Sequence, residues 1–203
     1  MTHQGGRSPA ASGAGLAISL GGLAMALLWL IYTSVHGPTS FDEVNRVLGR
    51  DTLFWGMLLG VVPNVAIGAG LLMARHPLTS ALTAAGRVGY YLILIGLLLP
   101  AAADAALQAF GPPFLMPILG IGLVLLSTGS RRNPGATALS RIELVSMGIL
   151  LLVAFAWALL SQDFGDSIGG YRIFGAMGYF LPGIGWGAFG AAIRANGGSP
   201  GTR

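Results

Sequence analysis

Long apolar runs alternate with short polar connections along almost the whole chain. A run of about 20 helical residues, rising ~1.5 Å per residue, spans the roughly 30 Å hydrocarbon core of a bilayer. The runs predict helices near residues 15–35, 52–73, 88–109, 112–128, 142–161 and 171–193. We therefore expect an all-α polytopic integral membrane protein with six transmembrane helices.

Two of these runs resemble each other over their full length. The segment from Arg87 to Gly111 aligns without a gap with the segment from Arg141 to Gly165, and both begin with arginine and close with glycine. The identities between them include Leu97 with Leu151, Leu98 with Leu152, Ala102 with Ala156 and Gln108 with Gln162. The even-numbered runs also end alike, in arginine followed by proline or glycine, so the repeat favours an arrangement of three helical hairpins.

The two ends of the chain differ from the six-helix region at 15–193. Residues 1–14 are small and polar, which predicts a disordered cytoplasmic tail. Residues 194–203 have the same character and predict a second cytoplasmic tail.

The longest polar connection, residues 36–51, has features of a short surface helix. Ser40 and Glu43 stand three residues apart, as in a capping box. Phe41, Val44, Val47 and Leu48 would then share one helical face, and Gly49 would end the helix. A helix on the membrane surface and an ordinary ordered loop are both compatible with this pattern.

The arginines are distributed unevenly between the two sets of connections. Eight lie in the tails and in the connections after the second and fourth runs, and three lie in the remaining connections. Short cytoplasmic loops carry an excess of basic residues. Both termini are therefore predicted to be cytoplasmic, in a multi-pass protein of the cell membrane. All eleven basic residues are arginine, which favours a GC-rich bacterial genome.

The composition excludes several classes of chemistry. The chain is 54% hydrophobic and 9% charged, so lipid is its expected solvent. It contains no cysteine and no lysine, which excludes disulfides, thiolate metal sites and lysine Schiff bases. The three histidines lie in the first tail or in connections, so no helical histidine pair is available for haem or a metal. We predict no cofactor, no nucleic-acid partner and no enzymatic activity.

Polar side chains within the runs are the candidate functional residues. Asp104 is the one acid well inside a run, and an intramembrane carboxylate indicates a functional site by default. Gln108 follows it at helical spacing and could donate a hydrogen bond to it. Asn64, beside Pro63, is the other polar residue at mid-depth. The shallow depth of Asp104 favours a hydrogen-bonded structural role over a functional one, and a bond between helices is the commoner role for a residue such as Asn64.

Small residues predict where helices approach closely. Gly56 and Gly60 form one GxxxG pair, and Gly183 and Gly187 form another. The last run also holds Pro182 at its centre, which is typical of a tightly packed helix or of a broken, mobile one. Aromatic residues near the ends of the runs, including Trp29, Tyr32 and Tyr171, are interpreted as anchors at the membrane interface.

Two functions fit these patterns. The first is a non-catalytic structural or accessory membrane subunit that packs against itself, as a homo-oligomer, or within a larger complex. The alternative is a small-solute transporter or channel, with Asp104, Gln108 and Asn64 lining a polar path. The bilayer is the one partner that the sequence predicts in either case.

Overall fold

A computed structural model describes residues 9–36, 45–108, 114–130, 138–161 and 168–196. The regular structure in these ranges is helical, as the sequence predicts. The helices are α1 (Pro9–Val35), α2 (Thr52–Met73), α3 (Arg75–Thr79), α4 (Ala84–Leu107), α5 (Met116–Gly129), α6 (Ala138–Leu160), α7 (Ile168–Gly175) and α8 (Leu181–Asn196). A π-helical turn, Ala176–Phe180, joins α7 to α8, and we call the continuous segment 168–196 the C-terminal helix.

Five helical segments in the described ranges are long and apolar enough to cross a membrane. They are Ser12–Val35, Thr52–Met73, Ala84–Leu107, Ser140–Leu160 and Tyr171–Ala195. The chain is thus consistent with a helical membrane protein. The fourth predicted span, 112–128, is instead the 14-residue helix α5. At ~1.5 Å per residue it is about 21 Å long, so length alone does not establish a sixth span.

Six helices form a closed ring. In chain order α1 packs on α2, α2 on α4, α4 on α5, α5 on α6 and α6 on the C-terminal helix, which returns to α1. Neighbours run antiparallel, because early residues of one helix meet late residues of the next. We call the end of the ring where α1, α4 and α6 terminate the distal end. Each helix thereby buries one stripe and leaves leucine, isoleucine and valine side chains exposed on the outside.

Glycines bring the ring helices into backbone contact. A Cβ atom on Gly183 would lie 2.7 Å from the carbonyl oxygen of Gly22, so α1 and the C-terminal helix touch without side chains between them. Ser19 reinforces this contact, because its hydroxyl donates a hydrogen bond of 3.0 Å to the carbonyl of Gly187. Gly86 and Gly129 make a similar contact between α4 and α5.

Several helix ends differ from the predicted bounds, whereas α2 matches them. The helix α1 begins at Pro9, inside the predicted tail 1–14, because proline suits the first helical position and small residues follow it. The helix α4 begins at Ala84, where the Thr83 hydroxyl accepts the Gly86 N–H at 3.3 Å. Arg87 is the fourth residue of α4 and Arg141 the fourth of α6, so the two repeat segments start at the same helical position.

The predicted surface helix does not extend over Val47 and Leu48. Val47 and Arg50 exchange two backbone hydrogen bonds of 3.2 and 3.0 Å around a two-residue turn. Leu48 and Gly49 have φ values of 53° and 73°, which a right-handed helix does not allow. The indole N–H of Trp55 donates to the Val47 carbonyl at 3.2 Å and ties this turn to α2. The Ser40–Glu43 capping box lies outside the described residues, as do residues 1–8 and 197–203 of the predicted tails.

Candidate binding cavity

A cavity of about 380 Å³ lies inside the helix ring. Residues of α1, α2, α4, α5, α6 and the C-terminal helix all line it, so it belongs to the ring as a whole. Its volume falls within the roughly 300–1,000 Å³ of small-molecule sites. Most of its lining is apolar, and the polar side chains among the lining residues are Asn64, Asp104, Tyr179 and the indole of Trp186.

The structure places Asp104 on the wall of this cavity, one turn from the distal end of α4. The side chain is buried, with 6% of its surface exposed. Pro100 lies one turn earlier and also lines the cavity. An ionised carboxylate is costly to bury unless its surroundings favour the charge, and Asp104 is not a solvated surface acid.

Asn64 lies on the part of the cavity wall that α2 contributes. Its side-chain amide donates a hydrogen bond of 2.8 Å to the carbonyl oxygen of Gly60. This intrahelical bond fixes the amide at the cavity wall. Gly60 lines the same wall, and Gly56 is buried one turn away.

Gln108 does not reach the cavity. The helix α4 ends at Leu107, and Gln108 takes a left-handed conformation with φ of 49°, so its exposed side chain leaves the face that carries Asp104. The link between the two residues is through the backbone, because the Gln108 N–H donates to the Asp104 carbonyl. The structure therefore brings together Asp104 and Asn64 and leaves Gln108 outside.

Tyr179 is a cavity residue that the sequence patterns did not single out. It lies in the π-helical turn Ala176–Phe180, where the Leu181 N–H donates to the Ala176 carbonyl five residues back. Pro182 explains the wide turn, because its ring would collide with the carbonyl of Gly178 in a regular α-helix. Turns of this kind occur frequently at functional sites. Pro182 in a predicted span was the signal that could have located it.

The ring of Tyr179 packs against other aromatic rings. Its ring stacks on that of Trp29, with centroids 5.5 Å apart and planes at 15°. Trp29 also contacts the rings of Tyr32 and Tyr171, at 5.9 and 5.5 Å. Trp29, Tyr32 and Tyr171 were interpreted as interfacial anchors, but they are 3%, 6% and 8% exposed. They pack against one another inside the ring and not against lipid headgroups.

The close approach of Trp29 to the C-terminal helix depends on one glycine. A Cβ atom on Gly175 would overlap the indole ring of Trp29. The absence of a side chain at Gly175 therefore creates the space in which the indole lies.

The two glycines of the GxxxG pair predicted in the last helix differ in how closely a Cβ atom on each would approach α1. Gly183 touches the α1 backbone, as described above. A Cβ atom on Gly187 would lie 4.0 Å from its nearest neighbour, the Ser19 carbonyl oxygen, which is ordinary van der Waals contact. Gly190, further along the same helix, makes the second close approach, at 2.6 Å from the Gly15 carbonyl oxygen.

Some residues that line the cavity are also exposed on the outside of the ring. Leu99, Leu107 and Phe114 line it, and they are also 55%, 74% and 70% exposed on the outside of the ring. Leu99 and Leu107 are two turns apart on α4, and Phe114 precedes α5. Among the described residues, the cavity therefore extends to the outer surface at apolar side chains of α4 and of the residues before α5.

Among the described residues, no group of three or more histidine, aspartate or glutamate side chains is placed to hold a metal ion. Comparison with protein-family models, with curated proteins and with solved structures finds no match to this chain. The geometry of the ring and its cavity is consequently the basis for a functional assignment.

Proposed function

We propose that this chain is a non-catalytic membrane protein that binds a small molecule inside its helix ring and carries it across the bilayer. The observation that supports this proposal is the cavity, which is lined by every helix of the ring and has the polar side chains of Asp104 and Asn64 in its lining. A protein that only supports the assembly of others needs no such internal space, since helical cores are normally filled.

The other function that the sequence allows is that of a structural or accessory subunit, and its main support was the pattern of glycines. Glycine faces were expected to pack against a second copy or a larger complex. Gly183 instead contacts Gly22 within the same chain. The close-packing surface of the last helix is thus occupied by α1.

We further propose a six-span topology in a bacterial cell membrane, built as three hairpins, with the distal end outside and both termini cytoplasmic. The arginine distribution supports the orientation. The position of α5 supports the sixth span, because it packs between the two long helices α4 and α6. Contacts at both of its ends, Gly96 with Leu119 and Gly86 with Gly129, show that it runs alongside α4.

Single cysteines test whether a small molecule enters the ring, because the natural chain has none. Leu151 lines the cavity and is 1% exposed, whereas Ile149 is 51% exposed on the outside of the same helix. Methanethiosulfonates react with thiolates, which form in water and not in hydrocarbon. We expect the small neutral reagent methyl methanethiosulfonate to modify Leu151→Cys faster than Ile149→Cys. Equal rates, or faster reaction at Ile149→Cys, would contradict a cavity that admits solutes.

A second measurement distinguishes transport of the small molecule across the membrane from binding alone. In sealed, oriented vesicles, a membrane-impermeant trimethylammonium methanethiosulfonate is added on one side at a time to Leu151→Cys. A carrier exposes its site to both sides in turn, so modification from either side is expected. Modification from the outside only would reject transport and retain a binding role.

A further inference from the structure

We propose that the cavity binds a neutral lipophilic alcohol, a single hydroxyl group on an apolar body, and that Asn64 is the side chain that binds the hydroxyl. This inference rests on the proposed function and specifies its ligand. It follows from the unused hydrogen-bonding groups of Asn64, from the apolar lining and from the volume of the cavity.

The amide of Asn64 has hydrogen-bonding groups that the described part of the chain does not use. It donates one N–H to the Gly60 carbonyl at 2.8 Å, and among the described residues this is the one hydrogen bond of the side chain. Because the partner is a carbonyl, the amide nitrogen and not the amide oxygen must face it. The amide oxygen and the second N–H therefore remain available at the cavity wall, in the middle of the apolar helix α2.

A hydroxyl group matches these two amide groups, because it donates through its O–H and accepts through its oxygen. A polar group that stays unpaired in apolar surroundings raises the free energy of the protein, and a hydrogen bond to a ligand removes that cost. The ligand hydroxyl gains as well, since the hydrocarbon core of a bilayer offers it no partner. Asn64 thus favours an alcohol over a hydrocarbon of the same shape.

The remainder of the lining favours an uncharged ligand. Most of the lining side chains are apolar, among them Met25, Leu119 and Leu151. None of the described residues that line the cavity is arginine or histidine, so an anion finds no countercharge there. Asp104 already interacts with other groups of the chain, so it does not require a ligand cation.

The volume and the border of the cavity indicate the size of the apolar body. A cavity of roughly 150 Å³ lined by leucine, isoleucine and phenylalanine holds one benzene molecule. The present cavity, at about 380 Å³, scales on that basis to a ligand of roughly 15 non-hydrogen atoms. Leu107 and Phe114 line it and are also exposed on the outside of the ring, so a lipophile dissolved in the bilayer meets apolar side chains there.

The test compares decan-1-ol with undecane, in which a methyl group replaces the hydroxyl. The two have the same number of non-hydrogen atoms and nearly the same shape. Binding is measured by calorimetry and tryptophan fluorescence on the full chain in an uncharged detergent, with each affinity corrected for partition into protein-free micelles. We expect the alcohol to bind roughly fivefold or more tightly than undecane, which corresponds to about 1 kcal/mol. Equal corrected affinities would overturn the proposal without any variant.

Variants locate the effect. Asn64→Leu keeps the approximate shape of the side chain and removes its hydrogen-bonding groups, so the preference for the alcohol should fall roughly fivefold while undecane still binds. Thr33→Val is the matched control, because the Thr33 hydroxyl also donates to its own helix, at 2.9 Å to the Leu30 carbonyl, and does not line the cavity. An unchanged preference in Asn64→Leu, or an equal fall in Thr33→Val, would reject Asn64 as the binding group.

A ligand series gives the same information if Asn64→Leu fails to fold. The ether 1-methoxydecane accepts hydrogen bonds but cannot donate one, so it should bind the natural chain more weakly than decan-1-ol. Equal corrected affinities of the ether and the alcohol would show that no O–H is donated to the Asn64 oxygen, which overturns the proposal.

The two proposals fail in different ways. If Leu151→Cys is reactive but the natural chain does not prefer decan-1-ol to undecane, the solute cavity stands and the ligand class is wrong. If Leu151→Cys is no more reactive than Ile149→Cys, the proposed function itself is wrong. Protection of Leu151→Cys by decan-1-ol at lower corrected concentrations than by undecane would support both.

Discussion

Gly183 and Gly187 occupy the same face of one helix, yet their surroundings differ. We expect Gly183→Ala to lower the free energy of unfolding by about 1–3 kcal/mol, because the new methyl group would push the α1 backbone away. Gly187→Ala should change it by less than about 0.5 kcal/mol, since that methyl group meets ordinary contact distances. Thermal unfolding of both variants in one detergent measures the difference. Equal melting temperatures would show that α1 and the C-terminal helix are less closely packed there.

A second prediction concerns Gly175, whose neighbour is the rigid indole ring of Trp29. Gly175→Ala should destabilise the protein by about 1–3 kcal/mol, because the indole of Trp29 has to leave its place. Gly178→Ala is the control, since the one close contact of its Cβ would be with the flexible end of Met116, at 2.9 Å, and Phe174 would lie at an ordinary 4.0 Å. Near-ultraviolet circular dichroism should change in Gly175→Ala and stay close to wild type in Gly178→Ala. Similar spectra for the two variants would contradict the packing of Trp29 described above.

Individual polar residues were predictable only where polarity itself was the signal. Asp104 and Asn64 stand out in apolar runs, and the structure places both at the cavity. Gln108 has the correct helical spacing from Asp104, but that spacing requires the helix to continue, and α4 ends one residue too early. Tyr179 could not be found this way, because tyrosine is common near the ends of membrane helices and its orientation depends on the π-helical turn.

At the scale of the element, Pro182 controls which side chains of the last helix face the cavity. Replacement by alanine restores a backbone N–H and removes the collision that widens the turn. We expect Pro182→Ala to convert the π-helical turn to α-helix, which rotates residues 176–180 relative to α8 and moves Tyr179 off the cavity wall. Tryptophan fluorescence should change, because the ring of Tyr179 stacks on that of Trp29, although stability is retained.

Pro63→Ala provides the comparison for this prediction. Pro63 also lies within a helix, but α2 remains α-helical around it. Its replacement should leave the Trp29 and Trp186 fluorescence close to wild type. If both proline variants behave alike, the effect of Pro182→Ala does not come from the π-helical turn.

Helix existence was easier to predict than helix ends. The run at 52–73 agrees with α2, because Asp51 caps it by accepting the Phe54 N–H at 3.0 Å, and polar residues adjoin both ends. Hydropathy places the start of the first run at residue 15, but α1 begins at Pro9, since small residues continue a helix without adding hydrophobicity. The wide turn in the last helix has no hydropathy signal at all.

At the scale of the whole molecule, the ring order could not be derived from apolar periodicity. Membrane helices are apolar on nearly every side, so the pattern does not say which neighbour each face meets. The closure of the ring depends on the glycines of α1 that face the C-terminal helix, Gly15 and Gly22, and these were not among the predicted packing residues. The internal cavity follows from that closure.

The proposed topology is tested by labelling single cysteines in intact cells. Asn45→Cys, in the connection after α1, should react with an impermeant maleimide from outside. Ser80→Cys, in the connection between α3 and α4, should react only after the cells are opened. For α5, Phe114→Cys should be labelled from outside and Thr128→Cys from inside. Labelling of Phe114→Cys and Thr128→Cys from the same side would remove the sixth span.

If α5 is the proposed sixth span, its shortness has a consequence for the surrounding lipid. Its length of about 21 Å falls some 9 Å below the hydrocarbon thickness of an average bilayer. Hydrophobic mismatch of this size is relieved where lipids compress beside the short helix, while the longer helices on the opposite side of the ring need no such adjustment. The protein should therefore be surrounded by an asymmetric annulus, thinnest beside α5 and the end of α4, where lipid headgroups come closest to Leu107 and Phe114. Its melting temperature should accordingly be higher in short-chain than in long-chain phosphatidylcholine, in proportion to the cost of compressing that one side.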